Sequence, residues 1–415
     1  MGSIIRNNIG PGETGLLIRS IVESISKKAY KPLGPTFNVS REHATRILDA
    51  ALRNDVFYPA YVALRESVSG KIATKRNSFE NLSYQYLAAN AVWLTESYRV
   101  LRLFVENDLR VMPMKGLHLA RFYYPNMLMR FAWDTDLLFI SEREKKKAER
   151  LLLQDKFHVD YSSPLETKLT KRFSRFSVHI ETHSCPGSLM YAFEFPKWND
   201  LWADSTQVTI AGSTVNVMPP EDALLVSCVS ICSRGTFTAR DFLDLRQIIR
   251  TCKSFRWDII AGVGRRSIWR HVLLIPLHLV NLIAKTYLNE SLVPKDMLED
   301  LALYGEPNLV ANLPAFGRMI EKSGLPVDYR DILHYIGYAR SPLLANFLLW
   351  LPENPTLTNR ILRVFVEAFN ILTVVRKEYG DVYAASCLRS WFSAYVAKFS
   401  GKRFSENLRE TLHAS

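Results

Sequence analysis

Asp134-Thr135-Asp136-Leu137-Leu138-Phe139-Ile140 sets two carboxylates one residue apart, directly before an apolar run. In an extended chain, side chains at i and i+2 point the same way. Leu137 to Ile140 has the length and continuity of a buried strand. Two like charges on one face, at the mouth of such a strand, repel unless a cation or a donor intervenes. Magnesium suits them, because it takes hard oxygens, one or two carboxylates plus substrate phosphate oxygens. Two such ions can clamp the attacking and leaving oxygens of an in-line phosphoryl displacement. Asp-x-Asp also occurs in caps and solvated turns, so the context decides.

Upstream, Leu109 to Met114 is short and apolar, with Pro113 favouring an edge or a strand end. Lys115-Gly116 follows, then a short helix over Leu117 to Tyr123. Glycine lets a backbone approach a phosphate, and the N–H groups at the start of that helix favour an anion. Lys115 adds a point charge. An ordinary strand-to-helix turn with a solvent-facing lysine has the same pattern.

Downstream, Glu142 to Phe157 is charged and helical. Lys168 to Phe173 and Phe176 to Thr182 can pair as a hairpin. In the second run His179, Glu181 and His183 share one face, while Val178 and Ile180 occupy the other. A third carboxylate has to come from another strand of the same sheet, and Glu181 is the candidate. His183 can orient a carboxylate or touch substrate. A solvent-facing polar stripe on an edge strand fits the same pattern. Gln207 to Ile210 and Thr214 to Val217 flank Ala211-Gly212-Ser213, a short-hairpin signal.

The flanks are helical. A short pattern spans Leu16 to Ile25, Ser40 caps a helix carrying Ala44, Ile47 and Leu48, and a longer helix runs from about Ser78 to Asn107. Pro219-Pro220-Glu221-Asp222 opens a helix through Cys232, and Ala239 to Cys252 forms the next. Further helices follow to the C-terminus, broken at Pro276, Pro294, Pro307, Pro314, Pro326, Pro342, Pro352 and Pro355. The reading is an α+β chain: a helical extension over 1–75, a core with a small mixed sheet over 76–218, and a helical domain over 219–415.

The 415 residues exceed one typical domain, and 48% apolar content suffices for a substantial core. Lys and Arg number 53 against 41 Asp and Glu, so the net charge of +12 favours polyanionic partners such as RNA, phosphorylated metabolites or acidic membranes. Arg265, Arg266, Arg270, Arg376, Lys377, Lys398, Lys402 and Arg403 could meet an RNA end or form a solvated face. Five scattered cysteines do not make a disulfide framework. Cys228 and Cys232 share a helix face, but two ligands make no zinc site, so they read as buried thiols. The N-terminus lacks an apolar signal core, which makes a reducing cytoplasm the expected location. Arg270, His271, His278, Asn281 and Lys285 interrupt the apolar stretch Ile268 to Leu288, which argues against a transmembrane segment.

Taken in order, these segments resemble the uncharacterised nucleotidyltransferase family of the polymerase-β-like nucleotidyltransferase superfamily. That family reads roughly Leu-Lys-Gly, a helix, Tyr-Pro, then Arg and Asp-Ile-Asp-Leu-Leu-Val. Here stand Met114-Lys115-Gly116-Leu117, Tyr124-Pro125, Arg130 and Asp134-Thr135-Asp136-Leu137-Leu138-Phe139. A later Glu-Leu-His-Trp resembles Glu181-Thr182-His183-Ser184, and Pro-Glu-Asp-x-Leu-Leu resembles Pro220-Glu221-Asp222-Ala223-Leu224-Leu225, followed by Asp244-Leu245. The resemblance covers roughly residues 80 to 290. It implies Asp134 and Asp136 as metal ligands and Glu181 as the third carboxylate, with magnesium or manganese as the ion. It sets Lys115, Gly116, Arg130 and His183 near the nucleotide. An NTP is then the substrate, and the acceptor is RNA, a protein or peptide, or a small molecule.

There are departures. Thr182 and Ser184 replace an apolar residue and a tryptophan. Ser230, Ser233 and Arg234 stand where relatives often carry histidines, so the acceptor side differs. Two rival readings remain on the residues alone. One is a non-catalytic module of this fold that binds RNA or a partner protein. The other is a metal-dependent phosphohydrolase, which needs more clustered His and Asp ligands than nine dispersed histidines offer.

Overall fold

The computed structural model describes residues 11–26, 39–65, 73–162, 166–173, 176–184, 198–234, 236–266, 271–303, 320 and 325–328. In chain order the helices are α1 (Pro11–Ser26), α2 (Arg41–Arg53), α3 (Phe57–Leu64), α4 (Ala73–Glu106), α5 (Lys115–Phe122), α6 (Glu142–Gln154), α7 (Trp198–Ala203), α8 (Pro220–Arg234), α9 (Ala239–Thr251), α10 (Trp257–Arg266), α11 (His271–Leu288) and α12 (Lys295–Leu303). The strands are β1 (Val111–Pro113), β2 (Asp134–Phe139), β3 (His158–Ser162), β4 (Glu166–Phe173), β5 (Phe176–His183), β6 (Thr206–Ile210), β7 (Ser213–Val217), β8 (Thr236–Phe237) and β9 (Val327–Asp328). The class is α+β, with helices flanking a small mixed sheet, as the sequence reading has it. The described residues form two compact units: Met1–Val92, Lys115–Ala132 and Pro219–Tyr338 supply one, and Trp93–Met114 and Trp133–Met218 the other.

The second unit is built on a five-stranded sheet in the order β1-β2-β5-β4-β3. β2 and β5 run parallel, and the other pairs are antiparallel. β2 is an interior strand, and Thr135 to Phe139 are all buried, which explains its unbroken apolar run. The strand begins at Asp134 itself, so both carboxylates lie within it. β1 sits at the edge and ends at Pro113, where a residue without an N–H is tolerated. The β4–β5 hairpin follows the expected runs, pairing Phe173 with Phe176 and Leu169 with Ile180. β3 was absent from the sequence reading; its residues are largely exposed and carry no apolar alternation.

Two helices cover the face of this sheet opposite the carboxylates. From α4, Phe104 meets Phe139 edge-on at 5.5 Å between ring centroids. From α6, Glu149 accepts a hydrogen bond of 2.9 Å from the Thr182 hydroxyl of β5. Ser141 caps α6 by accepting from the Glu144 N–H, and Ala148 and Leu152 are buried on its inner side. The β6–β7 hairpin turns at Ala211 and Gly212, with φ of 48° and 83°. Two successive left-handed residues match the twist of the flanking strands, and glycine takes the larger angle without a Cβ penalty.

The first unit is helical apart from the short β8–β9 pair. Ser40 caps α2 through the His43 N–H. Pro220 opens α8 at the position where its missing N–H costs nothing. Thr238 and Asp241 form a capping box at the start of α9. Cys228 and Cys232 on α8 are buried free thiols, and burial pushes both thiols up, away from the ligating thiolate. No helix among the described residues is long and apolar enough to cross a membrane. The helices expected beyond 303, the breaks at Pro307, Pro314, Pro342, Pro352 and Pro355, and the basic residues Arg270, Arg376, Lys377, Lys398, Lys402 and Arg403 lie outside the described residues. So do Cys185 and Cys387.

Candidate active site

The parallel pairing of β2 with β5 sets Asp134 opposite His179 and Asp136 opposite Glu181. Opposite residues share a face, and so do residues two apart. The register therefore gathers Asp134, Asp136, His179, Glu181 and His183 on one face of two adjacent strands. Thr135, between the two aspartates, points the other way. Its hydroxyl accepts from the Trp93 indole N–H at 2.7 Å and lies 2.6 Å from the Ser97 hydroxyl, which donates to the Trp93 carbonyl at 2.7 Å. This buried ring of hydrogen bonds pins the middle of the Asp-Thr-Asp segment to α4.

Asp136 is 2% exposed and His183 3%. The His183 Nε2 stands 3.0 Å from an Asp136 carboxylate oxygen and 3.9 Å from a Glu181 oxygen. Ligand atoms of Asp136, Glu181 and His183 all lie within 4.8 Å of one another, the spacing of a set that could hold a metal ion. Burial, then the charges of Asp136 and Asp134, hold the Glu181 carboxyl above its usual range, while Lys168 and His183 counter them. The face thus brings three carboxylates together, with Lys168 and His183 beside Glu181. That chemistry fits a divalent cation. The carboxylates suit magnesium or manganese. His183 either serves as a third ligand, which favours a softer ion, or orients Asp136 and leaves an all-oxygen set.

Lys168 was missed as a site residue by the sequence reading. It lies opposite Glu181 in the β4–β5 register and reaches a Glu181 oxygen at 3.0 Å. Burial works against its charge, but the hydrogen bond and charge of Glu181, with Asp134 and Asp160, outweigh burial and raise the Lys168 ammonium. The signal was present in the sequence: a hairpin closing between Phe173 and Phe176 counts back to Lys168 opposite Glu181.

Lys115, Gly116 and Arg130 belong to the first unit. Lys115 opens α5 with φ of 42°, a left-handed backbone rare for a residue with a Cβ, and Gly116 is buried beside it. Arg130 is 8% exposed and meets Asp244 with two nitrogens, at 3.2 and 2.8 Å, while a third reaches the Phe131 carbonyl. Tyr124 donates to the same Asp244 at 2.7 Å. The guanidinium expected near a triphosphate is thus committed to Asp244 within the fold. Asp244, read from sequence only as part of an Asp-Leu pair, is its partner. Ser230 is half-buried on α8, and Arg234 pairs with Asp241 at 2.5 Å.

A small mixed sheet thus carries clustered carboxylates on adjacent strands, a set that could hold a metal ion. A model of a family described as an uncharacterised nucleotidyltransferase matches residues 40–285, more than half of the chain, and the chain belongs to that family. No curated protein and no solved structure matches it.

Proposed function

We propose that this protein transfers a nucleoside monophosphate from an NTP to an acceptor and releases pyrophosphate. The observation that carries the reading is the meeting of Asp136, Glu181 and His183 within 4.8 Å on the face that also bears Asp134. In this reading Asp134, Asp136 and Glu181 hold a magnesium or manganese ion, with His183 fixing Asp136 or joining the set. Such an ion supplies positive charge that offsets the oxygens of the transferring phosphate.

The residues of the chain divide the rest. Lys168 holds one Glu181 oxygen and fixes the direction of the other. Glu181 takes the proton of the acceptor as the acceptor atom bonds to the α-phosphorus. The bond from that phosphorus to the bridging oxygen breaks, and its electron pair leaves with pyrophosphate. Lys115 and the backbone at Gly116 offer charge and N–H groups to the phosphates. Arg130 contributes by bracing its own segment through Asp244. The catalytic core is the 76–218 stretch, and the helical 219–415 stretch holds an acceptor such as RNA, a protein or a small molecule. In this reading the protein acts in the cytoplasm, where NTPs are plentiful.

The test is incubation with each α-labelled NTP, magnesium or manganese, and total RNA or cell extract. Labelled acceptor and free pyrophosphate are expected. Asp136→Asn is expected to abolish both while circular dichroism stays that of the wild type. Labelling that survives in the folded variant would overturn the assignment.

A further inference from the structure

Beside the carboxylates, the strand register lines up a second polar row. Asp134 of β2 lies opposite His179 of β5, His179 opposite Thr170 of β4, and Thr170 opposite His158 of β3. A register shift between Val159 and Tyr161 interrupts β3 where Asp160 stands. The Asp160 carboxylate accepts the Thr170 hydroxyl through one oxygen. Its other oxygen lies 3.3 Å from His158 Nε2. The Thr170 oxygen is in turn 2.6 Å from His179 Nδ1.

The direction of this chain follows from counting hydrogens. A threonine hydroxyl carries one, and an ionised carboxylate only accepts. The Thr170 hydrogen therefore belongs to Asp160. The Thr170 oxygen must accept from His179, which puts the ring hydrogen on Nδ1. A neutral imidazole protonated there keeps a bare lone pair on Nε2. Nδ1 faces β4, so Nε2 is turned off that strand, on the face that bears Asp134. Among the described residues no hydrogen bond is made to Nε2.

We propose that Asp160 and Thr170 set the tautomer of His179, and that His179 Nε2 accepts a hydrogen bond from the attacking group of the acceptor and aims it beside Asp134. This rests on the nucleotidyl-transfer reading and narrows its acceptor. The nucleophile is an amino group or water, because it gives one hydrogen to His179 and a second to Glu181; a hydroxyl has only one to give, and a phosphate oxyanion none. His179 positions; the proton still passes to Glu181 and then to water, as the phosphorus–oxygen bond breaks toward pyrophosphate.

The experiment uses the full chain in two arms. Long-range proton–nitrogen correlation on nitrogen-15 histidine, assigned by loss of one signal in His179→Leu, is expected to show His179 protonated on Nδ1. Thr170→Val is expected to move it toward the Nε2-protonated form. The second arm follows pyrophosphate release from NTP with water as acceptor. Thr170→Val and His179→Leu should lower kcat by on the order of 10²-fold with the KM for NTP unchanged, as for a misaimed nucleophile. His179→Gln, whose amide oxygen still accepts, should recover part of the loss. An Nε2-protonated ring in the wild type, or a tautomer and kcat indifferent to Thr170→Val, overturns the relay. Wild-type protein that releases no pyrophosphate from any NTP, with or without RNA, instead counts against the transferase reading, and the tautomer measurement still decides the relay.

Discussion

Thr135 shows how one side chain can serve a site it does not enter. Its hydroxyl lies between the Trp93 indole and Ser97 on the buried face. Thr135→Val keeps the shape but leaves the indole N–H unpaired. It is expected to cost about 1–3 kcal/mol in chemical denaturation. Glu181 has the opposite sign. Its carboxyl is held above the usual range by burial and by Asp136 and Asp134, so its ionised form destabilises the metal-free fold at neutral pH. Glu181→Gln should therefore raise the Tm of the metal-free protein at pH 7. It should also abolish the further rise that manganese gives the wild type. A Tm that falls without metal would refute the crowding argument. His118 adds a pH signature. It is fully buried among Phe122 and Tyr123, neither ring nitrogen has a hydrogen-bond partner among the described residues, and burial lowers it to about 3. The folded state thus refuses a proton that the unfolded chain takes near pH 6.5. Stability is intact above that pH and falls as the pH drops toward about 3, by about 1.4 kcal/mol per unit. His118→Leu should flatten that acid limb in denaturation curves taken from pH 7 to pH 4.

At the scale of elements, local chemistry and tertiary pairing play separate parts. The capping box of α9 is local: Thr238 accepts from the Asp241 N–H, and Asp241 accepts from the Thr238 N–H. Thr238→Ala is expected to lower stability by about 0.5–2 kcal/mol, read from the denaturation midpoint. Elements of this kind were legible in the sequence: the Ser40 cap, the Pro220 start of α8, the Ala211-Gly212 turn and the apolar run of β2. Each depends on chemistry within a few residues. β3 escaped because its residues are exposed and its place is set by pairing with β4. α3 escaped because Pro59 interrupts an otherwise helical stretch from within its first turn.

Over the whole molecule, the described residues of 115–132 group with 219–338 and not with the strands on either side of them. Tyr124 and Arg130 both spend their polar groups on Asp244 of α9. A chain truncated after Met218 would remove Asp244, and with it the carboxylate that holds Tyr124 and Arg130 of this segment. Limited proteolysis should then cut within 115–132 in the truncated protein and spare it in the full chain. Equal protection in both would show that 76–218 stands alone.

The sequence by itself determined the class, the helices that flank the sheet, and the strand that carries Asp134 and Asp136. Alternation and capping are short-range rules, so one chain segment suffices to read them. Only the tertiary structure decided which residues face that pair. The parallel register sets Glu181 opposite Asp136, and the hairpin register brings Lys168 to Glu181. The register shift in β3 sits beside the Asp160–Thr170–His179 chain. The tertiary structure also pairs Arg130 with Asp244. Those choices join residues far apart in sequence, 47 positions for His183 and Asp136 and 114 for Arg130 and Asp244. Their energies arise from burial and charge that exist only once the strands and helices have met.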